Sequence, residues 1–157
     1  MRFLSLLLAF LLLAASCFAQ QSVPKLHEKI YDPSADAKLE IANALKDAAP
    51  SHKRVILVFG GDWCIDCQVL NYRFHEAPNA QIIAENYIVV HVDIGHMDKN
   101  VDLADKYGVP LSKGVPGLAV VESNGTLLYS MKNGEFESAR NLDPKQITAF
   151  LEKYKAH

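Results

Sequence analysis

Cysteine is scarce in this chain: three in 157 residues, at positions 17, 64 and 67. Basic clusters are scarcer still. Lysine and arginine are dispersed, the formal charge is −2, and the longest basic stretch is His52-Lys53-Arg54, which argues against a nucleic-acid partner. No apolar run reaches the ~20 residues that a membrane-spanning helix needs. The longest, Leu4 to Ala15, falls short. Internal repeats and low-complexity tracts are missing as well. Gln68 stands where covalent haem attachment through Cys-x-x-Cys-His would need histidine. His75, His91 and His96 show no ligand spacing that would complete a zinc site with two cysteines, so neither a metal nor a cofactor is expected.

What is present begins with Met1-Arg2-Phe3, the apolar stretch, and the small-residue segment Ala15-Ser16-Cys17-Phe18-Ala19 before Gln20-Gln21. This is the pattern of a secretory signal peptide over residues 1–19, and it implies an exported protein, periplasmic or secreted. Leu13-Ala14-Ala15-Ser16-Cys17 offers a second route, lipid anchoring at Cys17. Simple cleavage fits better, because Ala14 occupies the position where a lipoprotein box usually carries leucine. Residues 20–157 then suffice for one domain with its own core. Arg2 is the only charged residue of the leader, so its loss makes the protein one unit more negative. Of the cysteines, only Cys64 and Cys67 would remain. In the chain-entropy picture a disulfide stabilises more as the loop it closes grows, so this pair is a poor staple.

Residues 20–34 lack periodicity and read as an extended lead-in, followed by a domain over 35–157. A helix is predicted from about Ala35 to Ala48, with Ser34 as N-cap and Leu39, Ala42 and Leu45 as its apolar stripe. Val55 to Phe59 is a continuous β-branched and apolar run, the signature of a strand buried on both faces. Gly60-Gly61-Asp62 breaks it, and a helical pattern runs from Cys64 to about Phe74. Short segments follow: a helix over 80–86, a strand over 87–92, a polar loop, and a helix over 101–107. The stretch from Gly108 to Pro116 is too rich in glycine and proline for regular structure. Leu118–Val121 and Thr126–Tyr129 flank Asn124-Gly125, a strong hairpin signal. Asp143, Pro144 and Gln146 start a last helix with a box-like cap, and Ile147, Phe150, Leu151 and Tyr154 form its stripe. This order defines an α/β domain, with parallel strands joined by crossover helices, an antiparallel hairpin at one side and a closing helix.

A redox dithiol needs an exposed sulfur with a lowered pKa, a second sulfur to resolve a mixed disulfide, and a helix N-terminus that favours the thiolate. Cys64-Ile65-Asp66-Cys67, placed after a buried strand and a Gly-Gly turn, meets these requirements. Cys64 is the expected nucleophile and Cys67 the shielded resolving thiol. Together with Trp63 and the later Val115-Pro116, the pattern resembles the thioredoxin superfamily from about Lys53 to Tyr154. The resemblance implies a thioredoxin-like fold, a central mixed sheet flanked by helices. It also implies that Pro116 is cis and faces the dithiol, that the Val115 backbone pairs with substrate, and that Trp63 shields the sulfurs. Two positions depart from the family pattern. Val58 stands where thioredoxins bury an acid, with His91 on the neighbouring strand as a candidate substitute. Asp66 lies between the cysteines, where its carboxylate disfavours a thiolate and tunes the pair towards reductant.

The expected activity is therefore thiol–disulfide exchange without a cofactor. A monomeric reductase of disulfide-containing protein substrates would be recharged by a membrane electron donor. Two alternatives stay open: a disulfide oxidase or isomerase, and a non-catalytic module that binds a partner or a metal through the surface around Trp63 and Pro116.

Overall fold

β1 (Arg54–Gly60) lies at the centre of a four-stranded sheet in this computed structural model, which describes residues 28–156. The leader, its cleavage site and Cys17 lie outside the described residues. From Val55 onward β1 carries nothing but apolar side chains and glycine, and every residue is buried. Such a strand is stable only with a layer on each face. It pairs in parallel with β2 (Tyr87–Asp93) and antiparallel with β3 (Gly117–Val121), which in turn pairs with β4 (Leu127–Ser130). The order is β2-β1-β3-β4. The β3–β4 turn is closed by the Gly125 N–H donating to Glu122 O at 2.8 Å, with Gly125 at φ +89°. That is the left-handed position a glycine fills without cost.

Alternation along β1 divides the core. Val55, Leu57 and Phe59 pack with Val90, Val92 and the helix α1 (Ala37–Ala48) on one side. Ile56 and Val58 pack with Leu70 of α2 (Ile65–His75) and with Ile147 and Leu151 of the C-terminal helix on the other. Between α2 and β2 runs α3 (Asn79–Asn86), and α4 (Val101–Lys106) follows β2. The C-terminal helix α5 (Pro144–Lys153) starts as its sequence requires: the Asp143 carboxylate accepts the Lys145 N–H, the Gln146 side chain reaches back to the Asp143 N–H, and Pro144 fills the first turn. Ile147, Phe150 and Leu151 are buried along it.

The first helix departs from its expected form. It begins at Ala37, two residues late, and its N-cap is Asp36, whose Oδ1 accepts from the Lys38 and Leu39 N–H groups. Ser34 instead donates its hydroxyl to Asp32. The buried stripe is Ala37, Ile41, Ala44 and Ala48, while Leu39 is 57% exposed and Ala42 is exposed. Leu39 and Ile41 lie two residues apart and therefore on different faces, and the alanines that share a face with Ile41 let the helix approach β2 closely. Of the expected stripe, Leu45 does pack against this core, four residues after Ile41, whereas Leu39 and Ala42 face outward. The glycine- and proline-rich loop also holds one regular piece, a 3-10 turn at Leu111–Lys113.

Candidate active site

The end of β1, the turn after it and the first turn of α2 place the dithiol. Cys64 is the N-cap of α2, and its Sγ accepts the Cys67 backbone N–H at 3.1 Å. The helix therefore aims a donor at this sulfur, together with the partial positive charge of its N-terminus. Cys64 and Cys67 are joined as a disulfide, and both are buried, 6% and 1% exposed: Cys67 is the more enclosed, but Cys64, expected to be exposed, is covered as well, with the Val115–Pro116 segment packed against it. The Cys64 Sγ also lies 3.6 Å from the carbonyl oxygen of Val115. The Val115–Pro116 peptide bond is cis, as is Ala77–Pro78, and Pro116 is buried directly before β3. Residues 51 positions apart thus meet at one sulfur.

Trp63 is 48% exposed and makes two contacts through its ring system. Its indole N–H donates to Gly95 O at 2.6 Å, and the ring stacks on His96 with centroids 5.8 Å apart. Gly61 lies against it: a Cβ there would sit 2.6 Å from the indole nitrogen, so a side chain at this position would have to shift the ring. Ile65, next to Cys64, is 49% exposed, and Met97, next to His96, is 42% exposed.

Asp66 is buried rather than solvated. Its carboxylate accepts the Arg140 N–H at 3.0 Å and lies 3.3 Å from the Arg140 guanidinium, so part of its charge is offset by a residue from the segment before α5. His91 pairs with Val58 in the β1–β2 register. Its ring meets Tyr31 edge-on at 5.3 Å, and burial, reinforced by the charge of His75 against that of Asp62, pushes its pKa down to about 4. It is a neutral imidazole at neutral pH.

Three residues that the sequence did not single out build the other wall. Asp62 Oδ1 accepts the backbone N–H groups of Ile30 and Tyr31 at 2.9 and 3.0 Å. Gln68, buried one residue past the dithiol, exchanges hydrogen bonds with the Glu28 backbone and donates to Asp62 O. Together they strap residues 28–31 across the start of α2. Tyr31, 3% exposed, is thereby seated at the site. The only prior signal was the proximity of Asp62 and Gln68 to the cysteines, since no local pattern announces a strap 30 to 40 residues away. Among the described residues no group of three or more His, Cys, Asp or Glu side chains is placed to hold a metal ion.

A buried central strand, a disulfide at a helix N-terminus and a cis proline facing it through the Val115 carbonyl define a class. The chain belongs to the thioredoxin-like family, whose model matches residues 36–123, and with this Cys64–Cys67 pair it is a thiol–disulfide oxidoreductase. Its fold is similar to that of a disulphide isomerase from Xylella fastidiosa Temecula1, at 36% sequence identity and a TM-score of 0.76, over 80% of this chain and 96% of that one. A thioredoxin from Trichomonas vaginalis is similar at 25% identity and a TM-score of 0.50, over 81% of this chain and 97% of the other.

Proposed function

We propose that the protein works outside the cytoplasm and reduces disulfides in proteins. Cys64 attacks a substrate disulfide, and Cys67 then displaces the substrate from the Cys64 mixed disulfide. The observation that carries this reading is the setting of the Cys64 Sγ. The Cys67 N–H and the end of α2 stabilise its thiolate, and the Val115 carbonyl beside it offers an acceptor to an extended substrate backbone. Trp63, Ile65 and Met97 give an apolar surface around that point.

For direction, two carboxylates lie within two residues of Cys64, Asp62 and Asp66, each held by backbone N–H groups. Negative charge there disfavours the thiolate, and a dithiol whose thiolate is less stabilised is the better reductant. Arg140 moderates this effect. Export rests on the leader pattern of residues 1–19, and outside the cytosol a reductase needs an electron donor, which we assign to a membrane protein. Isomerisation is the second reading, favoured by the likeness to the Xylella disulphide isomerase. It begins with the same attack by reduced Cys64.

The test has two parts. In cells, Cys67→Ala traps substrate proteins on Cys64, and in vitro the wild type reduces insulin. The absence of both sinks the proposal. The reduction potential separates directions: a value near about −270 mV supports a reductase, and one near about −120 mV an oxidant.

A further inference from the structure

Tyr31 carries the only buried side-chain oxygen or nitrogen without a hydrogen-bond partner among the described residues. Burying a hydroxyl without a partner is destabilising, so its persistence asks for a reason. Its position supplies one. The Tyr31 oxygen and the Cys67 Sγ both lie within 2.7 Å of the point that a Cβ on Gly60 would occupy, and therefore within twice that distance of each other. The missing side chain of Gly60 leaves them sharing one space. From Val55 to Gly60, β1 offers nothing polar to that space from its side chains.

We propose that Tyr31 is a hydrogen-bond donor to the sulfur of Cys67 in the reduced enzyme, where it stabilises the Cys67 thiolate that resolves the mixed disulfide. This rests on the exchange chemistry proposed above. In the disulfide, the Cys67 sulfur carries no charge and is a weak acceptor, which matches the unpartnered hydroxyl seen here. In the dithiol, the sulfur gains charge and becomes a strong one. The step is balanced without a further reactant. The Cys67 sulfur bonds to Cys64, the bond from Cys64 to the substrate sulfur breaks, and the proton lost by Cys67 ends on the released substrate thiol. Tyr31 keeps its own proton throughout: burial, with Asp62 and Asp93 nearby, pushes its phenol above the ordinary range.

The charged groups that act on Tyr31 are Asp62 on the turn and Asp93 on β2, and neutral His91 of β2 meets its ring, while Asp66 on α2 is engaged by Arg140. The carboxylates cannot donate a hydrogen bond when ionised, and the Tyr31 phenol is the donor that the space left by Gly60 places beside the Cys67 Sγ. The strap through Asp62 and Gln68 holds it there.

The experiment compares Tyr31→Phe with the wild type, both as reduced full-length protein, by following the Cys67 Cβ resonance in NMR as pH is varied. Phenylalanine keeps the ring and its packing, and it removes an unpartnered hydroxyl, so the oxidised variant should be at least as heat-stable as the wild type. The proposal expects the Cys67 titration to move up by about one pH unit, and the Cys64 mixed disulfide with a model peptide thiol to resolve about tenfold more slowly at neutral pH. An unshifted Cys67 titration overturns it, since a purely structural tyrosine would leave that titration in place. A shifted titration in a wild type that reduces no insulin keeps the role of Tyr31 and removes the reductase reading. Active wild type with an unshifted variant does the reverse.

Discussion

Asp66, between the two cysteines, takes the backbone N–H of Arg140 on one carboxylate oxygen and the Arg140 guanidinium near the other, at 3.0 and 3.3 Å. The residue between the sulfurs thus serves two ends: it ties α2 to the segment before α5, and it places a partly compensated charge beside the dithiol. Asp66→Asn separates them, because an amide oxygen can still accept the backbone N–H. We expect it to change stability by less than about 1 kcal/mol, because the Arg140 guanidinium is itself largely solvated. The reduction potential should rise as the negative charge is lost. Asp66→Ala should cost about 1–3 kcal/mol in urea denaturation, because the Arg140 N–H loses its acceptor.

Asp62 holds the strap. Asp62→Ala removes the acceptor of both the Ile30 and Tyr31 N–H groups. The expected loss is about 2–4 kcal/mol in denaturant unfolding, from two bonds to a charged acceptor. Amide exchange should quicken at Ile30 and Tyr31 well before the central strand opens.

Gly60 has no room for a side chain. Gly60→Ala forces a methyl group against Tyr31 and the Cys67 sulfur, and we expect it to destabilise the oxidised protein by about 1–3 kcal/mol, measured by thermal unfolding. Gly61→Ala meets only the movable Trp63 indole, so its cost should be smaller and should appear in the Trp63 fluorescence.

His91 makes stability depend on pH. Its folded-state pKa of about 4 lies below the ~6.5 of an unfolded histidine, so between those values the unfolded chain binds the additional proton. The contribution is fully present above about pH 6.5 and is lost as pH falls towards about 4, amounting to at most about 3 kcal/mol. Urea midpoints measured across this window should fall with acidification in the wild type, and the slope should flatten in His91→Asn.

Trp63 is held by Gly95 and His96 and exposes the rest of its ring. Trp63→Ala should lower kcat/KM about tenfold or more with a protein disulfide while changing reactivity with a small disulfide far less, since only the larger substrate uses the apolar surface. Equal losses on both substrates would place Trp63 in support of the sulfurs instead.

Much of this molecule is written locally. The β-branched run of β1, the Asn124-Gly125 turn, the Asp143-Pro144 helix start and the dithiol at the head of α2 can each be read from a few neighbouring residues, because backbone preference and capping act over one or two turns. The exposed face of α1 escaped that reading: two apolar registers compete within the helix, and only contact with β2 chooses between them. The same holds for the partners of the site. Tyr31 meets Asp62 across 31 residues, Gln68 meets Glu28 across 40, and Asp66 meets Arg140 across 74. A carboxylate or amide side chain in the sequence states that it needs a partner; which one it receives depends on the segments that chain topology brings within hydrogen-bond reach. The sequence alone determined that this protein carries an exchangeable dithiol at a helix start. The tertiary structure decided what surrounds the second sulfur, because that environment is assembled from the lead-in, β1, β2 and α2 only when they pack.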